Sequence, residues 1–159
     1  MKGKKMEKPD AKPDFEILAQ YIKDMSFETP ALPKALFEKI EAAPALEVSM
    51  EVKTVRAGDS LFEVALGNRV QSRAGDRVLF VADISYAAMV AVHVADEAER
   101  MRILTKSVPA HLFPFVRALV ADLTKDSGFP PVVLKAVDFD AIEMKPMRPP
   151  AAVPERAKS

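Results

Sequence analysis

From Glu16 to Glu28 apolar and polar residues alternate with a period of two, the pattern of a strand with one buried face. Ile17, Ala19, Tyr21, Met25 and Phe27 share one face, interrupted by Lys23; Gln20, Asp24, Ser26 and Glu28 share the other with Leu18 and Ile22. Thr29-Pro30 closes the strand, because proline has no amide hydrogen for the ladder. Pro30, Pro33 and Pro44 then bracket Leu36, Phe37 and Ile40, which excludes a long helix or a central strand there. Leu46, Val48, Met50 and Val52 alternate with Glu47, Ser49, Glu51 and Lys53, a second amphipathic strand. Arg56-Ala57-Gly58-Asp59 supplies turn chemistry, and Phe62, Val64, Leu66 and Val70 line one face of a third strand. After Ala74-Gly75-Asp76, the run from Val78 to Val92 is apolar on both faces apart from Asp83 and Ser85. Strands joined by short turns predict an antiparallel meander.

The period then changes. Leu112, Val116, Leu119, Val120 and Leu123 recur at helical spacing between Val108 and Lys125, with Arg117 and Asp122 on the other side. Ser107 is placed to cap this helix and Pro109 falls in its first turn; Pro114 removes one donor, which allows a later start or a bend. Gly128, followed by Phe129-Pro130-Pro131, ends it. Asp138 is predicted to cap a short second helix through Phe139, Ala141 and Ile142. The fold class is therefore α+β: a four-stranded antiparallel sheet with one long C-terminal helix and a short second helix. Residues 1–14 read as a flexible Lys-rich arm, 15–145 as one domain, and 146–159 as a disordered tail rich in Pro, Lys, Arg and Ala. One helix covers one face of a sheet. The two-sided fourth strand therefore predicts a second cover, and another copy of the chain is its expected source.

Composition narrows the chemistry. The 159 residues fit one domain, and 23 Lys and Arg balance 23 Asp and Glu, so no net field draws the chain to nucleic acid or to a membrane surface. No cysteine is present, which excludes disulfides and thiolate metal sites and is compatible with the cytoplasm. No apolar run approaches the roughly 20 residues of a membrane span, and no apolar stretch follows the basic N-terminus as a secretory signal would require. His93 and His111 lie on different elements with no carboxylate at ligand spacing. No nucleophile elbow and no glycine-rich phosphate loop occur. No catalytic, cofactor or metal site is expected; the reading is a binding protein rather than an enzyme.

Four stretches add a resemblance. Tyr21-Ile22-Lys23-Asp24-Met25-Ser26-Phe27-Glu28-Thr29-Pro30 resembles the first-strand signature of the SecB family of protein-export chaperones. Leu112-Phe113-Pro114-Phe115-Val116-Arg117, Gly128-Phe129-Pro130-Pro131 and Asp138-Phe139-Asp140-Ala141-Ile142 are similar to that family's second half, in the same order. The resemblance runs from Tyr21 to Met144. It implies a homotetramer built as a dimer of dimers. It also implies an ATP-independent holdase that binds unfolded preproteins in apolar grooves and delivers them to the SecA ATPase. On this resemblance Asp24, Glu28 and Asp83 fall on the motor-binding face. Phe27, Leu36, Phe37, Ala82, Ile84, Tyr86, Phe139 and Ile142 fall in the client groove or the tetramer packing. The neutral charge, unusual against an acidic family, keeps two other expectations in view: a SecB-like chaperone dedicated to one client such as an antitoxin, and an oligomeric adaptor for a folded partner.

Overall fold

Alternation produces the strands where it was expected, and the pairing between them holds two departures from simple order. The computed structural model describes residues 12–39 and 43–142. Ile40, the expected tail and all of the expected arm except residues 12–14 lie outside them. The strands are β1 (Phe15–Glu28), β2 (Ala45–Arg56), β3 (Leu61–Ala74) and β4 (Arg77–Val92), all antiparallel in the order β1-β4-β3-β2. β2, β3 and β4 form the expected meander. β1, however, lies beside β4, so the proline-bracketed segment after it crosses from one edge of the sheet to the other. At the β3–β4 turn Gly75 takes a φ of +61°, a region that favours glycine.

The second departure lies within β1. Its register against β4 shifts between Ile17 and Ala19 and again between Ile22 and Asp24, so Leu18 and Lys23 are bulged residues. Each bulge reverses the facing of the residues after it. Gln20 and Ile22 therefore share the helix-side face with Ile17, Met25 and Phe27, while Ala19 and Tyr21 turn outward with Asp24, Ser26 and Glu28. This corrects the strict alternation expected for residues 19–22.

The helix is longer than its apolar stripe. It runs through α1 (Glu97–Arg102), one π-turn (Ile103–Ser107) and α2 (Val108–Asp126). Asp96, not Ser107, is the cap: its carboxylate accepts the Glu99 amide at 2.9 Å, whereas Ser107 is itself helical and makes no capping bond. Pro109 explains the π-turn. Its ring would crowd the Thr105 carbonyl in a regular helix, and the wider turn, in which the Val108 amide donates to the Ile103 carbonyl, relieves that clash. Gly128 (φ +84°) ends the helix as expected. The Phe129 amide donates to the Thr124 carbonyl and the Gly128 amide to that of Lys125, satisfying carbonyls at the helix end. Asp138 accepts the Asp140 amide and opens a single turn. Residues 139–142 form only that turn, so among the described residues the short second helix expected through Phe139, Ala141 and Ile142 is replaced by a turn.

The helix covers one side of the sheet. Val108, Leu112, Val116 and Val120 are fully buried against a core that includes Val64, Leu66, Val70, Ala82, Ala88 and Val90. At one end Phe80 packs on both Phe27 and Phe129, with centroids 5.5 and 5.1 Å apart. The buried Thr124 hydroxyl accepts the Val132 amide at 2.9 Å, which ties the following extended segment back to the helix.

One residue of this core is polar without a partner. Asn68, 4% exposed, faces the helix side between Met50 and Ile84, and neither Oδ1 nor Nδ2 makes a hydrogen bond among the described residues. Burying an unpaired amide is costly. Asn68→Val should therefore raise stability by about 1–2 kcal/mol, read as a higher urea midpoint at unchanged slope.

Candidate functional site

Strand parity sorts the candidate residues onto two sides. On β4 the even residues Phe80, Ala82, Ile84, Tyr86 and Ala88 face the helix, and the odd residues Val81, Asp83, Ser85, Ala87 and Met89 face outward. Register extends the outward rows across all four strands. Glu28, Val81, Gln71 and Glu47 form one row; Ser26, Asp83, Arg69 and Ser49 the next; Asp24, Ser85, Gly67 and Glu51 the third. These rows gather Asp24, Glu28, Glu47, Glu51 and Asp83 on one surface.

Within these rows Asp24 and Glu28 stand about 13 Å apart along β1. That is too far to share a proton, and it suits two separate contacts on a basic surface. Asp83 accepts from Arg69 directly across the ladder at 2.6 Å, with side chains 44% and 53% exposed. Glu51 pairs with Lys53 at 2.9 Å. The carboxylates of Asp24, Glu28 and Glu47 make no hydrogen bond or ion pair among the described residues.

The same outer side contains a network that sequence reasoning missed. Tyr21 donates to Glu63, as does Lys23, and both bonds reach from β1 over β4 to β3. The Tyr21 ring thus lies over Ala87, its partner in register, which is fully buried within the single chain. Ala87 is covered within the single chain, whereas Val81 and Met89 on the same outward face stay half-buried. Hydrogen bonds from Lys23 and then Tyr21 hold the Glu63 carboxyl below the usual range. The bond to Glu63, with burial, pushes the Tyr21 hydroxyl up to about 12. The network thus adds stability above the unfolded glutamate value of about 4.3, lost as pH falls through the lower folded value. The tyrosine part is complete below pH about 10 and is lost as pH rises toward 12. Glu63→Gln should cost about 1–2 kcal/mol at neutral pH, and the variant's unfolding midpoint should depend less on pH at both extremes.

On the helix side the apolar candidates separate by accessibility. Ala82, Ile84 and Phe139 are core residues, Phe139 packing edge-on to Phe113 at 6.1 Å. Phe27, Tyr86 and Ile142 are half-buried, and Tyr86 stacks on Phe115 at 5.5 Å. Only Leu36 and Phe37 are openly presented, 63% and 88% exposed on the crossover segment, where a single 3₁₀ turn (Lys34–Leu36) holds them. Beside them a cleft of about 520 Å³ is lined by 30–34, Arg77 and Val78, and Arg77 pairs with Glu38 to pin the segment. A second cleft of about 420 Å³ lies between β1 and α2, walled by Ile22, Tyr86, Phe115 and Leu119. The exposed Leu18, Ile22 and Met25 stand along that same β1 edge. Among the described residues no group of three His, Asp or Glu is placed to hold a metal ion, and no helix is long and apolar enough to cross a membrane.

The family model for the preprotein translocase subunit SecB matches residues 8–148. The chain belongs to the SecB family. The protein-export protein SecB of Maricaulis maris is 38% identical over 127 residues, covering 80% of this chain and 73% of that protein. The SecB of Hyphomonas neptunium is 33% identical over 155 residues, covering 96% and 89%. A SecB-like chaperone of Mycobacterium tuberculosis, solved in complex with a ChAD peptide from the HigA1 antitoxin, shares the fold. Its TM-score is 0.64 at 19% identity, covering 78% of this chain and 91% of that one. The SecB resemblance carried by the four sequence stretches is thus borne out, as is the antiparallel sheet with its long helix. Arg69 and the Tyr21–Glu63–Lys23 network were not singled out from sequence. The available signal for Arg69 was its place between the inward Leu66 and Val70, counted back from the Ala74-Gly75-Asp76 turn.

Proposed function

We propose that the chain is an ATP-independent holdase without catalytic activity, which binds unfolded preproteins on apolar surface and hands them to the SecA motor in the cytoplasm. The single observation that carries this reading, beyond SecB family membership, is the pair of chemically opposite surfaces. Exposed Leu36 and Phe37 beside a cleft suit many weak apolar contacts, and a rigid sheet face holds unpaired Asp24 and Glu28 for a basic partner. Residues 15–145 act as the chaperone domain. It assembles as a dimer of dimers, with Leu18, Ile22 and Met25 on the open β1 edge and Phe115 beside it as apolar surface for that assembly. Asp83, half-exposed on the same face as Asp24 and Glu28, belongs to the motor surface; half-buried Phe27, Tyr86 and Ile142 border the client surface. Neutral net charge favours one second reading, a chaperone dedicated to a single client, the kind of partner that the antitoxin peptide of the mycobacterial neighbour represents.

Size-exclusion light scattering with and without a permanently unfolded client tests the class: a tetramer that enlarges only with the unfolded chain is expected, and indifference to it would sink the holdase reading. Phe37→Ser should weaken client holding about three- to tenfold while leaving the unfolding midpoint unchanged, since the ring is exposed. Asp24→Ala with Glu28→Ala should weaken SecA binding at least about tenfold, measured by titration, and leave client holding intact. Parallel loss of both activities would show that the two surfaces are not separate.

A further inference from the structure

Among the described residues the three acidic rows of the outer face hold one cation, and it stands at their centre. Arg69 lies between Asp83 on β4 and Ser49 on β2, with the row of Asp24 and Glu51 on one side and that of Glu28 and Glu47 on the other. Its guanidinium bonds Asp83 at 2.6 Å, and half of its side chain remains exposed to whatever approaches the face. We infer that Arg69 is a specificity-determining residue that limits how strongly this face attracts a basic partner. This inference rests on the proposed motor contact at Asp24 and Glu28.

The physics has two parts. A lysine or arginine of the partner that approaches Asp83 must displace a guanidinium already in register, held by a charge-assisted bond that needs no association entropy. In addition the Arg69 charge repels cations approaching the neighbouring carboxylates, at separations where screening is incomplete at moderate salt. Lys53 does not play this role, because it stands on the next row and is spent on Glu51. The pair itself is half-exposed, so it adds little to stability, and its effect falls on recognition.

The test uses the full chain and purified SecA, titrated at about 50 mM and about 300 mM salt. Arg69→Gln and Arg69→Thr should each bind about three- to tenfold tighter at the lower salt, with a smaller gain at the higher. Adding Asp83→Asn to Arg69→Gln should remove most of the gain, because the released carboxylate is what the partner uses. Circular dichroism should show both single variants folded; two different replacements guard against misfolding of either. If wild type binds in a manner that depends on Asp24 and Glu28, but both Arg69 variants bind equally or more weakly, Arg69 is a contact or a bystander and this inference is overturned. If neither wild type nor any variant binds SecA, the motor contact itself falls, and this inference with it.

Discussion

One helical run lies over one side of a four-stranded sheet, so the other side must be built from residues that tolerate water. That constraint accounts for most of what is unusual in the outward positions. Ala65, Gly67, Ser85 and Ala87 form a shallow centre, and charges occupy the positions around it. Where the centre would still expose alanine, the Tyr21 ring crosses β4 to bond Glu63 and lies over it. A large apolar residue at position 87 would have nothing to pack against and would displace that ring. The same constraint leaves β1 and β2 as edges whose helix-side residues, Ile22 and Met25 on one and Leu46 and Val48 on the other, reach past the helix into solvent.

How much the sequence reveals depends on which signals are local. Turns depend on a few residues, so Gly75 and Gly128 marked their positions correctly. Bulges do not announce themselves in this way: Leu18 and Lys23 fit an alternating pattern as well as a bulged one, and only pairing with β4 exposes them as extra residues. The start of the helix was hidden for a different reason. α1 buries no residue, so it has no apolar stripe to detect, and its available signal was the capping pair of Asp96 and Glu99 three positions on. Ser107 looked like a cap because it precedes Pro109, yet that proline acts inside the helix by imposing the π-turn.

Candidate-site residues divide along the same line. The first-strand motif contained Asp24 and Glu28, and alternation sends them outward together; parity on β4 sends Asp83 outward while Ala82 and Ile84 turn into the core. Their neighbours Glu47, Glu51 and Arg69 come from pairing alone. Simple counting across the Ala74–Arg77 hairpin would set Arg69 opposite Ala82. The register shift after Ser72 moves it by one residue, opposite Asp83. A single bulged position thus decides whether Arg69 meets a carboxylate or an alanine.

That arrangement bears on how two proposed partners would share a small protein. Ala82, Asp83 and Ile84 are consecutive on one strand, and their side chains leave the sheet in opposite directions. A client held along the crossover segment and the helix side is therefore separated from a motor on the outer side by the thickness of the backbone layer. The two kinds of contact also answer to different variables. Apolar contacts around Phe37 are nearly indifferent to salt, whereas a carboxylate face weakens as ionic strength rises. Motor docking under this scheme does not have to release the client. With the two surfaces apart, a partner that competes for the unfolded chain itself would be one route to release.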